Sequence, residues 1–303
     1  MLLAAGASVL RERLLFHLSH QIPMPPFPKI VLLVFLALVL SGCGLLRSGI
    51  ASLRSTSDFH RLQTDSRVLA EPGAEDLANQ VAGFLPVAIR TIEKEQLRSF
   101  AKPVEVFVCA SEDSFARHTG ASRKARGAVT TRLFLSGALK NEPAEMTRAR
   151  LTHELSHLHF VQQLGVYRFN AHIPAWFQEG LATLVSDGGG AEKVSEADAA
   201  KAVLDKRYFT PEAQGSFWFP RSGSSYGLEP HMFYRQASMF VGYLKCLSEV
   251  RFGLFLLAIE DGEDFDGSFR SHYGLSIDEA WEEFVAQLRD KQRGIRFAVA
   301  SSR

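Results

Sequence analysis

The sequence predicts an α+β fold: a small mixed sheet packed against one central helix, followed by a mostly helical C-terminal half. Three observations carry that reading. Val104-Glu105-Val106-Phe107-Val108-Cys109 alternates apolar and polar positions, and Val129 to Leu135 is rich in β-branched and aromatic residues and ends at Ser136-Gly137; both read as strands. Several longer segments repeat apolar residues every three to four positions, the period of a helix with one buried face. No internal repeat interrupts the chain, so a single domain over residues 74–292 is the simplest account.

Composition narrows the function classes. Of 303 residues, 46% are hydrophobic and 22% charged, enough apolar material for a sizeable core. Basic and acidic residues nearly cancel, at 34 against 33, so no global field favours nucleic acid. Three cysteines, at 43, 109 and 246, are too few for a disulfide scaffold and form no paired metal-binding knuckle. Any metal site must therefore come from histidines and carboxylates.

From the N-terminus, residues 30–40 form an unbroken apolar run directly after Lys29 and end in Leu40-Ser41-Gly42-Cys43. A positive flank, a short apolar stretch and small residues before a cleavage point describe a secretory signal, here residues 1–42. Met24 would give it a compact start. The alternative, an uncleaved membrane span, needs about 20 apolar residues, more than this run supplies. The Leu-Ser-Gly-Cys ending resembles the lipobox of bacterial lipoproteins. That resemblance implies lipid on Cys43 and a membrane-anchored protein of the bacterial cell envelope facing the periplasm, held by more than one acyl chain. Residues 43–73 are mixed and polar and read as a flexible tether.

The domain opens with a helix over 74–100, apolar at Leu77, Val81, Phe84, Leu85, Ile89 and Ile92, with a kink expected at Pro86. After the two strands, a helix begins near Pro143, with Glu142 and Glu145 at its positive end, and runs to about Gln163 before Gly165. A short helix follows Pro174. Asp187-Gly188-Gly189-Gly190 is a break, residues 191–206 read as a short surface helix, and the alternative makes residues 191–230 a lid or inhibitory segment. The irregular stretch up to Pro230 contains Phe217-Trp218-Phe219-Pro220, which suits a cleft wall, a lid or core packing. Met232 to Leu247 is helical, and Ser276-Ile277-Asp278-Glu279 is a capping box that opens an amphipathic helix. A tail, 293–303, closes the chain.

The chemistry concentrates in His153-Glu154-Leu155-Ser156-His157, within the helix that starts near Pro143. Residues four apart share one helix face, with Cβ atoms about 5–6 Å apart, so both imidazoles can reach one tetrahedral zinc. Glu154 can reach a water at that metal without being a ligand, as a general base must. With ten histidines in the chain, two surface histidines on an amphipathic helix are the competing account. A third ligand candidate, Glu179, lies in Trp176-Phe177-Gln178-Glu179-Gly180-Leu181-Ala182. His-His-Glu with one open position is an established catalytic zinc set.

A histidine pair followed by Trp-x-x-Glu-Gly-x-Ala resembles the gluzincin clan of metallopeptidases, especially the small peptidase MA-like domains. The likeness spans roughly residues 75–290. The rival metzincin pattern fails, since it would need Gly and His where Phe160 and Gln163 stand. The resemblance implies a zinc cofactor, a protein or peptide substrate, and peptide-bond hydrolysis with Glu154 as base. It also implies a tyrosine hydroxyl, from a helix well downstream of the glutamate ligand, that stabilises the oxyanion. Tyr234 matches that place, though a core tyrosine explains it nearly as well; His231 and Tyr226 are the alternatives. His159 points off the ligand face. The 129–135 strand could lie along the cleft and pair with an extended substrate. An oxidising periplasm would allow a bridge between Cys109 and Cys246, but both sit in apolar elements and buried free thiols are the more common fate. The other function class is a lipoprotein that keeps this fold as a binding or assembly module with little turnover.

Overall fold

The computed structural model describes Ala51 and residues 53–301, with side chains as far as Gly294. The signal segment, the lipobox with Cys43 and the start of the tether lie outside the described residues. Five short strands form one mixed sheet: β1 (His60–Arg61), β2 (Val68–Ala70), β3 (Val106–Val108), β4 (Gly127–Val129) and β5 (Leu133–Leu135), in the order β1-β2-β3-β5-β4. The central pairs are parallel, with Val68 opposite Val106 and Val106 opposite Leu133, and both edge pairs are antiparallel.

Both faces of this sheet are covered, which is why its strands read as apolar runs. One face, with Val68, Ala70, Val106, Val108, Leu133 and Leu135, packs on α1 (Glu75–Glu95) and on α3 (Ala144–Leu164). The other puts Leu69, Phe107 and Phe134 against Phe59 and against Phe115 of α2 (Glu112–Thr119). The expected sheet-on-helix architecture is therefore present, and Pro86 lies inside α1 as expected.

Two expectations are corrected here. The tether reading fails from residue 60 onward, because β1 and β2 are part of the sheet and Val68, Leu69 and Ala70 are buried. Glu71 fastens that segment further, accepting the Ala110 N–H and the Ser114 hydroxyl, each at 2.7 Å. A three-residue strand is too short to display a period. The 129–135 strand is in fact half of a hairpin: β4 and β5 pair antiparallel, and the Thr130 N–H donates to the Arg132 carbonyl at the turn. Gly127 and Ala128 carry too little apolar bulk to announce a strand.

The helical half begins with α3, which starts at Pro143 and stops at Gly165, where φ is +79°. It continues through α4 (Val166–His172), α5 (Ala175–Val185), α6 (Glu196–Leu204), α7 (Pro230–Leu247), α8 (Glu249–Glu260), α9 (Phe265–Tyr273) and α10 (Ile277–Ser301). The capping box forms at the start of α10 as expected: the Ser276 N–H donates to Glu279 Oε2 at 2.7 Å, and the Glu279 N–H donates back to Ser276 Oγ. The segment read as a tail from 293 continues this helix to Ser301. The surface reading of 191–206 also changes, since α6 buries Ala199, Ala202 and Val203.

A second core of aromatic side chains fills this half, built around Trp176, Phe177, Phe209, Phe240, Phe255 and Phe265. The central helix α3 serves both cores: Leu151, Leu155 and Leu158 face the sheet, whereas Phe160 and Val161 face the aromatic cluster. No helix among the described residues is long and apolar enough to cross a membrane.

Candidate metal centre

Two helices bring the predicted ligands together. His153 and His157 project from one face of α3, and Glu179 comes from α5. His157 Nε2 lies 3.1 Å from His153 Nε2, and Glu179 Oε2 lies 3.2 Å from His153 Nε2 and 3.6 Å from His157 Nε2. Donors held at about 2.0–2.1 Å around one tetrahedral ion stand roughly 3.3–3.4 Å apart. The three observed separations bracket that value.

Tautomer chemistry points the same way. His153 Nδ1 lies 2.9 Å from the Gly189 carbonyl oxygen, which can only accept, so Nδ1 carries the proton. Its Nε2 is then a lone pair aimed at a carboxylate oxygen and at a second imidazole nitrogen, an arrangement that a cation in their midst would satisfy. In the metal-free chain a proton on His157 meets part of that need. Burial pushes the His157 imidazole down, but the neighbouring Glu179 charge more than offsets this and raises it. Burial likewise pushes the Glu179 carboxyl up, yet the charge on His157 and the close contact with both rings hold it far below the usual range. The trio fits a metal ion as donors, and a metal would satisfy all three at once.

Glycines set the close approaches. Gly180, next to Glu179, lets α5 press on α7: a Cβ there would stand 2.7 Å from the Ala237 carbonyl oxygen. Gly190, at φ +92°, leaves room for the Tyr234 ring, which a Cβ would meet at 2.7 Å. Gly127 of β4 lies against Glu154, where a Cβ would fall 2.5 Å from Cγ and 2.6 Å from Oε1. The break at 187–190 is therefore part of the site, which its composition alone did not reveal.

Glu154 and the trio open on a cleft of about 800 Å³, bounded by β4 on one side and by the start of α7 on the other. Tyr234 stacks on His153, ring centroids 5.8 Å apart. The Glu179 carboxylate, and then burial, raise its hydroxyl well above the ordinary phenol value, so it is a proton donor at neutral pH. His231 also lines the cleft, its Nδ1 3.3 Å from Glu192 Oε2. Tyr226 is corrected as a candidate: its hydroxyl donates to Glu212, in a neighbouring pocket wall.

Other residues singled out from sequence fall outside the centre. His159 is fully buried behind α3, where Nε2 donates to the Arg98 carbonyl and Nδ1 lies 3.4 Å from Glu260. Trp218 and Phe219 are exposed and do not line the metal cleft. Both thiols are free, Cys109 buried and Cys246 exposed, the latter against expectation because it sits on the outer side of α7. Burial pushes the Cys109 thiol up to about 12. Sequence reasoning missed Arg150 and Glu192, whose carboxylate accepts the Gly190 N–H at 2.7 Å; no motif marks either. No protein-family model matches this chain, and no curated protein matches it significantly.

Proposed function

We propose that this chain is a zinc-dependent peptidase of the gluzincin type, anchored in a bacterial envelope by lipid on Cys43. The observation that carries the enzymatic part is the His153–His157–Glu179 trio, spaced for one tetrahedral ion and opening on a cleft that also holds Glu154. Zinc suits two imidazoles and a carboxylate, and when bound it supplies Lewis acidity that makes water nucleophilic near neutral pH. Glu154, buried beside His153 but outside the ligand set, takes the proton from the attacking water and returns it to the leaving amine. Tyr234 donates its hydroxyl to the carbonyl oxygen as charge builds there, with His231 further along the same wall. The outer edge of β4 is unpaired among the described strands, and it would hydrogen-bond an extended peptide across the cleft. The envelope part rests on the lipobox resemblance and on the apolar run before it.

The test combines metal analysis with a peptide-library digest. The parent should hold about one zinc per chain and cleave peptides. Glu154→Gln should keep its zinc and lose at least about 100-fold in turnover, the scale of general-base catalysis. A Glu154→Gln variant as fast as the parent sinks the mechanism. Zinc with no cleavage of any peptide would return the chain to the binding-module class.

A further inference from the structure

Arg150 leaves α3 one turn before Glu154, and its side chain is only 14% exposed at the cleft. Nη1 lies 3.9 Å from Glu154 Oε1, and Nη2 lies 3.5 Å from Glu192 Oε1. That same Glu192 oxygen accepts the Gly190 N–H, and the preceding carbonyl, Gly189, is the one that takes the His153 Nδ1 proton. One guanidinium thus lies within ion-pair reach of the proposed base and connects to the proposed ligand His153 through a single carboxylate and one peptide unit.

The loop between them has little stiffness of its own. Gly188 and Gly190 have φ of +89° and +92°, conformations that glycine adopts but does not enforce. Arg235 grips its far side, donating to the Val194 and Ala191 carbonyls. On the metal side, backbone bonds from the Gly188 N–H to the Thr183 carbonyl and from the Ala191 N–H to the Gly188 carbonyl close the turn, and the Glu192 carboxylate adds the side-chain anchor at Gly190, with Arg150 and His231 beside it. A mostly buried guanidinium is costly unless its partners are fixed, which favours one arrangement of all three charged groups.

We propose that Arg150 and Glu192 are positioning residues. Their ion pair fastens the Gly188–Gly190 loop to α3, keeping the Gly189 carbonyl on His153 while aiming the Glu154 carboxylate into the cleft. Metal retention and base orientation then depend on one contact. This rests on the metal-site reading above, and its readout is zinc affinity rather than turnover.

The experiment is competition of the purified full chain with a chromophoric chelator for zinc. It compares the parent with Arg150→Gln, Glu192→Gln, their double variant and Arg150→Lys, with circular dichroism to confirm folding. Each Gln variant should lose about 10- to 100-fold in zinc affinity, as when a ligand's outer partner is removed. The double variant should be no worse than the poorer single one, and Arg150→Lys should recover part of the loss. Variants that match a zinc-binding parent, or losses that simply multiply in the double variant, overturn the coupling. A parent that binds no zinc overturns the metal reading itself.

Discussion

Single atoms decide whether Glu154 can work. The proposed base is confined by Gly127, where any β-carbon would overlap its carboxylate, and has the Arg150 guanidinium 3.9 Å from its Oε1. Gly127→Ala should therefore keep zinc, whose ligands it does not touch, while lowering turnover by about 10-fold or more through displacement of the base. Metal analysis beside steady-state kinetics checks this, and unchanged turnover would show that the clash relaxes harmlessly. The candidate ligands themselves were legible because helix geometry turns a four-residue spacing into a shared face, and because Glu179 travels with a distinctive neighbourhood. Gly127, Gly189 and Arg150 were not legible. Their roles come from approaches between segments distant in sequence, which no local pattern records.

Among the elements, α3 depends on what lies behind it. His159 and Glu260 join it to α8, both side chains wholly buried. The His159 Nε2–H is committed to the Arg98 carbonyl, which leaves Nδ1 as an acceptor facing a carboxyl that burial raises above its ordinary value. At 3.4 Å neither atom has a hydrogen-bond partner as it stands, with the Arg98 Nε 3.5 Å from the other carboxyl oxygen; a proton shared across a slightly closer contact would satisfy both groups. Glu260→Gln keeps a donor there and should cost little. Glu260→Ala orphans the imidazole and should cost about 1–3 kcal/mol in denaturant unfolding. Equal stability of the two variants would refute the shared proton. Helix α3 was foreseen to within a residue or two because Pro143 and Gly165 punctuate it. Helix α8 was not, because apolar residues all round it, from Val250 to Leu257, erase the period that betrays an amphipathic helix.

At the scale of the molecule, one helix shared by two cores binds the halves into one cooperative unit. Neither the sheet nor the aromatic cluster can come apart without exposing α3. Calorimetry should therefore show one unfolding transition for the domain, and two resolved transitions would be incompatible with this. On the proposed metal reading zinc would join α3 to α5, so at free zinc about 100-fold above its dissociation constant it should stabilise the fold by about 2.7 kcal/mol. That gain should fade as pH falls. The raised His157 imidazole binds a proton more tightly than a free one, so protons begin to displace the metal above the ordinary value of about 6.5. A zinc effect on the transition that stays constant through the neutral range down to mildly acid pH would contradict the assignment of His157 as a ligand.

If the cleft holds the peptidase proposed above, the open side of β4 has a consequence for what it would process. A polypeptide can lie along that edge only where its own backbone hydrogen bonds are free, and inside a folded domain they are already spent. The foldedness of a target would then decide its fate before any side chain is read. Unravelled termini and damaged or half-assembled chains would be taken, and intact neighbours in the same compartment would be spared.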